Sequence, residues 1–183
     1  MNQILLNLIK VYKNCGIDNT YFLNLLSELI ENSDDDNFRL ECLEIIDEFN
    51  QNSEDIFLFL ENLFISDMNH DIKFAALKIM INNYSKKKVI KPILYVLNKC
   101  SGNFHFNLME ILSKLNPFHC KKILIEKIKS QKSENNDLSW SFNENLKSLS
   151  LEMLKQIYYN MIFEKSLEDL YFHRNKIPFV VNF

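Results

Sequence analysis

Residues 66–80 read SDMNHDIKFAALKIM. A polar knot containing Asp67, Asn69, His70 and Asp71 runs into one lysine and then into apolar residues at helical spacing. Alone, the knot invites a chemical reading, with Asp67, His70 and Asp71 as metal ligands or catalysts. Moved back by 34 positions, it falls without a gap on residues 32–46, NSDDDNFRLECLEII. Phe38 falls on Ile72, Arg39 on Lys73, Leu40 on Phe74, Cys42 on Ala76, Leu43 on Leu77, Ile45 on Ile79 and Ile46 on Met80. Polar letters fall on polar letters. Asp, Asn and Ser side chains accept hydrogen bonds from the N–H groups that a helix start leaves unpaired, so the knot reads as a turn and cap.

The same shift works upstream of the turn. Phe22 falls on Ile56, Leu23 on Phe57, Leu25 on Phe59, Leu26 on Leu60, Leu29 on Leu63 and Ile30 on Phe64. Each copy therefore reads helix, polar turn, helix, and the period lies in the range of helical solenoids. One helix pair has too little apolar surface to bury alone, so neighbouring pairs must stack. A looser third copy places a turn at Ser101-Gly102-Asn103, followed by Phe104, Leu108, Met109, Ile111 and Leu112. A fourth begins at Pro117, with Ile123, Leu124 and Ile128 at helical spacing and proline where a helix start tolerates it.

The second copy resembles a HEAT-like repeat. That family's pattern is an Asp at the turn, an aliphatic residue followed by a basic one, then small residues and a Leu. Asp67, Ile72, Lys73, Ala75, Ala76 and Leu77 match it, and Phe38, Arg39, Cys42 and Leu43 match it in the first copy. The resemblance covers residues 20 to 84 well and continues to about 130. It implies an all-α fold, a short right-handed α-solenoid of HEAT-like helix pairs, with a short extended segment at the C-terminus. It specifies fold and not function.

The expected organisation is a capping helix over 1–18, helix pairs over 19–51, 54–85 and 87–116, and the start of a fourth over 117–130. A polar loop over 131–141, capping helices over 142–176 and an extended tail over 177–183 follow. Gly16 suits a left-handed cap after the first helix, and Asn19 or Thr20 suits the start of the next. The stripe Leu146, Leu149, Met153, Ile157, Met161 predicts one helix from Phe142 to Phe163, and Ser166 with Asp169 forms a capping box for another. Pro178 and the β-prone IPFVVNF make the tail extended. Ala75 and Ala76 are small enough for the second helix to approach its neighbour closely.

Composition excludes several classes. Two glycines and three prolines in 183 residues leave no Gly-rich phosphate loop and little turn material for a sheet-rich fold. No window approaches about 18 uninterrupted apolar residues, so no membrane span is expected. The start, MNQILLNLIKVYK, lacks a basic leader region and a small-residue cleavage site, so it reads as an amphipathic helix. The four cysteines form no C-x-x-C pair, and they read as reduced, buried thiols of a cytoplasmic protein.

Candidate chemical sites are few. Cys100, His105, His119 and Cys120 could hold a metal, or Cys120 could be activated in a helix first turn, but C-x4-H-x13-H-C matches no common zinc spacing. Glu41, Glu44 and Asp47 share a helix face at i, i+3 and i+6, without an apolar pocket to drive their pKa values apart. Trp140, the single tryptophan, reads as a core anchor beside Phe142 or as a binding anchor. No nucleophile–base pair or cofactor motif is present, so no catalytic residue, cofactor or metal is expected.

Charge is strongly segregated. Residues 28–61 carry twelve acids against Arg39, a balance of −11, while residues 73–132 carry thirteen lysines against Glu110 and Glu126, a balance of +11. Such a field can steer a charged partner. The expectation is a non-catalytic scaffold or adaptor that presents its second helices to a protein partner. The contacts would be Glu41, Glu44, Asp47 and Glu48 in the first pair, and Lys73, Lys78 and Asn82 in the second. The alternative is a nucleic-acid-binding solenoid with Trp140 and an anion site at Lys86, Lys87, Lys88, Lys91, Lys121 and Lys122, with or without the base chemistry of the HEAT-like glycosylases that it would resemble. Nucleic acid ranks second, because the patch is nearly devoid of arginine and the isoelectric point is about 5.8.

Overall fold

The apolar periodicity becomes a ladder of short helices. The computed structural model describes residues 2–49, 52–133 and 145–174. In chain order they form α1 (Gln3–Cys15), α2 (Asn19–Glu31), α3 (Asp36–Phe49), α4 (Glu54–Ser66), α5 (His70–Asn83), α6 (Lys86–Leu97), α7 (Gly102–Leu115) and α8 (Pro117–Ser133). A helical turn over 145–148 and α9 (Leu151–Arg174) follow. Among the described residues there is no strand. Trp140, Phe142 and the tail over 177–183 lie outside them.

The chain forms two compact units, Met1–Leu108 and Met109–Phe183, with the division inside α7. In the first unit α2 pairs with α3 and α4 with α5. The first helices α2, α4 and α6 then pack in succession, and the second helices α3 and α5 pack on each other. This is the two-layered, all-α, solenoid-like arrangement expected from stacked pairs. The 34-residue shift holds in the burial pattern. Phe22, Leu23, Leu26 and Ile30 are buried, and so are Ile56, Phe57, Leu60 and Phe64. Cys42, Leu43, Ile45 and Ile46 are buried, and so are Ala76, Leu77, Ile79 and Met80. Each buried Leu or Ile contributes about 2 kcal/mol by removing apolar surface from water. In the second unit α8 packs on α9, with Leu124, Ile128, Leu154 and Tyr158 in the core.

Helix ends follow local hydrogen bonding. Gly16 takes the left-handed conformation at φ 61° and ends α1. Asp18, not Asn19 or Thr20, caps α2, accepting from the backbone of Thr20 at 3.0 Å and Tyr21 at 3.3 Å. Asn19 instead docks the first pair on α1: it accepts from the Tyr12 hydroxyl at 3.1 Å and donates to the Phe49 carbonyl at 3.2 Å. Asp35 caps α3, and Asn116 caps α8 just before Pro117.

The C-terminal helices depart from expectation. The expected Phe142–Phe163 helix is interrupted at Leu149 and Ser150, because the Ser150 hydroxyl accepts from the Met153 amide at 3.2 Å and starts α9 afresh. α9 then runs through Ser166, so no new helix begins at the Ser166–Asp169 box. α8 also continues to Ser133, three residues into the expected polar loop.

Candidate partner-binding groove

The second helices α3 and α5 lie side by side with a groove of about 160 Å³ between them. Its walls are Leu40, Leu43, Glu44 and Asp47 from α3 and Ala75, Lys78 and Ile79 from α5. The i, i+3, i+4, i+7 spacing on α3 puts its four on one helix face. The floor is apolar and the rim is charged. Ala75 is half-exposed in the groove while Ala76 is buried. Only Ala76 therefore serves close helix approach. Ala75 opens the groove, since a larger side chain there would fill it.

The expected contact residues divide. Glu44, Asp47 and Lys78 line the groove. Asn82 lies beside it, with its amide 3.5 Å from Asp47, while Asn83 holds Asp47 more tightly at 2.9 Å. Glu48 is exposed on α3 outside the groove lining. Glu41 turns away to accept from the Asn2 backbone amide at 2.6 Å, and that bond holds its carboxyl below the usual carboxylate range. Lys73 also turns away: its Nζ donates to the Ile65 carbonyl at 3.3 Å and lies 5.7 Å from the Phe104 ring centre. Leu40, Leu43 and Ile79 were legible only as core periodicity.

The polar knot is structural. Asn69, not Asp67, caps α5, accepting from the amides of Asp71 at 2.7 Å and Ile72 at 3.4 Å. Asp67 accepts from the Asn69 amide at 2.8 Å and from the Arg39 guanidinium of the preceding pair. His70 stacks on Phe104 at 4.5 Å between ring centres. Among the described residues, no three metal-ligating side chains come together.

The cysteine–histidine set is split. In the first unit Cys100 Sγ lies 3.8 Å from His105 Nδ1. In the second, Cys120 is buried with its thiol 3.8 Å from the Met109 carbonyl oxygen, and burial pushes its pKa up to about 11. Desolvation therefore outweighs the helix start that suggested activation. His119 takes part in the α8 cap through its backbone.

The lysine sets belong to different units. In the first, Lys86, Lys87 and Lys91 are exposed on α6, whereas Lys88 is committed to Glu54 and sits 3.9 Å over the Phe57 ring. In the second, Lys121 and Lys122 line a separate groove along α8. No helix among the described residues is long and apolar enough to cross a membrane. Compared with protein-family models, with curated proteins and with solved structures, the chain matches none of them.

Proposed function

We propose that this chain is a non-catalytic interaction scaffold of HEAT-like repeats, whose α3/α5 groove receives a segment of a protein partner. The observation that carries the reading is the groove itself, an apolar trough between the second helices of successive pairs. Its rim is acidic on the α3 side, at Glu44 and Asp47, with Lys78 opposite. A complementary segment would lay an apolar side chain between Leu40 and Ile79 and set a basic residue against Glu44. The carboxylates suit binding better than acid–base chemistry. Asp47 is held by two asparagines, and Glu41 has a lowered pKa, the opposite of a general acid.

Selection from a displayed random-peptide library tests this. Ala75→Trp, which fills the groove from a half-exposed position, serves as the counter-selection target. The expected binders carry Lys or Arg beside Leu or Phe and lose at least about tenfold affinity for Ala75→Trp, about 1.4 kcal/mol. Binders that do not distinguish the two proteins, or none at all, would refute the reading.

A further inference from the structure

The second unit carries an apolar groove of about 510 Å³ that the α3/α5 reading does not use. Phe118, Lys121, Lys122, Ile125 and Lys129 recur at i, i+3, i+4, i+7 and i+11, so one face of α8 supplies its length. Lys147 lines it from the 145–148 turn, and Glu126, 4.0 Å from Lys122, is its one acid among the described residues. Phe118 is 82% exposed. A bare aromatic ring and an isoleucine thus sit among a surplus of positive charge.

The first unit carries the converse surface. On α4, Asp55, Leu58 and Glu61 follow at i, i+3 and i+6, and Leu58 is 54% exposed. Here an apolar knob sits between carboxylates. Neighbouring Glu54 is already paired with Lys88, which leaves Asp55 and Glu61 as the acids flanking the knob. The two surfaces also match in length: α4 is 13 residues, about 20 Å, and the α8 stripe from Phe118 to Lys129 is about 17 Å.

We propose that α4 of one copy docks in the α8 groove of a second copy. Leu58 packs against Phe118 and Ile125, while Asp55 and Glu61 face the lysine rim. Two different surfaces meet, so the contact is head-to-tail. Its apolar centre supplies burial, and the unlike charges steer the encounter and fix its direction. The association is therefore strong at low salt and weak at high salt, because the rim charges are half-exposed or exposed and so are screened.

Sedimentation velocity on the full chain tests this, from about 10 µM to about 1 mM protein, in about 20 mM and about 500 mM NaCl. The mass is expected to rise above 21.8 kDa with concentration at low salt and to return to it at high salt. Lys122→Glu/Lys129→Glu and Asp55→Lys/Glu61→Lys are each expected to weaken self-association at least about tenfold. An equimolar mixture of the two restores it, since each then meets an unlike charge. Leu58→Glu, at an exposed position, weakens it as well, and circular-dichroism melts report that every variant is folded. A wild-type chain at 21.8 kDa at every concentration in low salt overturns the proposal. So does a mixture no more associated than its parts, or a monomer whose α8 lysines instead bind a labelled oligonucleotide.

Discussion

Arg39, in the second helix of one pair, donates its guanidinium to Asp67, in the turn of the next. The same side chain donates from Nε to the Ile30 carbonyl at 3.2 Å and from a terminal nitrogen to Asp36 at 3.0 Å. It thus satisfies the exposed carbonyl end of α2 and ties two successive pairs together. Burial works against its charge, but the Asp67 and Asp36 carboxylates outweigh that cost, and its pKa stands above the ordinary value. One pair later Lys73 repeats the bond to a helix-end carbonyl, at Ile65. The third turn holds no Asp, and the Lys73 ammonium rests over Phe104 instead. The polar rung is replaced by a cation–π contact.

Removing Arg39 leaves the largely buried Asp67 carboxylate without its counter-charge, and removing Asp67 leaves the largely buried guanidinium with Asp36 as its remaining carboxylate. Asp67→Ala is expected to lower stability by about 2–3 kcal/mol, and Arg39→Met by a similar amount. The double variant should cost clearly less than the sum. Urea unfolding of the four proteins gives the coupling energy, and strict additivity would show that the pair does not act as a unit.

Asn69 is a sharper probe of the turn. Its amide donates to Asp36 at 2.6 Å while its oxygen caps α5. Asn69→Asp keeps a good cap but sets a carboxylate against Asp36, so a loss of stability is expected near neutral pH. The Asn69 amide first, and Arg39 second, lower the Asp36 pKa below 3.8. A depressed carboxyl pKa contributes stability above its unfolded value, and that contribution is lost as pH falls through the folded value. The wild type therefore loses this contribution below about pH 4, while protonation relieves the variant's repulsion. The gap between the urea midpoints of the two proteins should narrow from neutral pH into acid. A gap that does not narrow in acid would contradict this.

In the second unit, Lys155 is 5% exposed and bonded to Glu110 at 3.0 Å and Glu152 at 3.1 Å. The Tyr159 hydroxyl donates to Glu110 at 3.2 Å. Glu110 is therefore the hub that joins α9 to α7. Glu110→Ala should cost about 2 kcal/mol, because the buried ammonium then keeps only Glu152 as a counter-charge and the Tyr159 hydroxyl loses its bond to Glu110. Lys155→Met, which keeps the volume without the charge, should cost under about 1 kcal/mol. Thermal melts of both variants give the order, and a Lys155→Met penalty exceeding that of Glu110→Ala would reverse the assignment.

The thiols should separate by burial. Desolvation pushes Cys42 up to about 12 and Cys120 up to about 11, while Cys100 is half-exposed beside His105. Among these three, Cys100 should react first with a disulfide reagent at about pH 8, and the other two only on unfolding. Peptide mapping after brief labelling identifies the site. Labelling at Cys42 in the folded protein would contradict the packing.

The residues that the repeat shift equates show where sequence reasoning succeeds. Leu43 and Leu77, or Leu26 and Leu60, share a burial class because helical period and stacking act on both copies alike. The groove was half legible. Glu44, Asp47 and Lys78 stood out as charges on second helices, but Leu40 and Ile79 carry the same apolar signal as core residues. Glu41 could not be told from Glu44 by spacing, because what removes it is a bond to Asn2, 39 residues away. The apolar stripe from Leu146 to Met161 runs across Ser150 and masks the helix start that its hydroxyl favours.

By itself, the sequence determined the all-α class, the 34-residue period and the starts of α1 to α8 to within a residue or two. Those follow from local physics, namely apolar periodicity and the hydrogen-bonding needs of helix ends. Only the tertiary structure decided that Asn69 caps while Asp67 bridges, that Lys73 leaves the groove while Lys78 stays, and that Ala75 is half-exposed while Ala76 is buried. Each of these depends on groups distant along the chain, such as Arg39, 28 residues from Asp67. A side chain of given chemistry bonds to whatever stacking brings within reach, and stacking is a property of the assembled pairs.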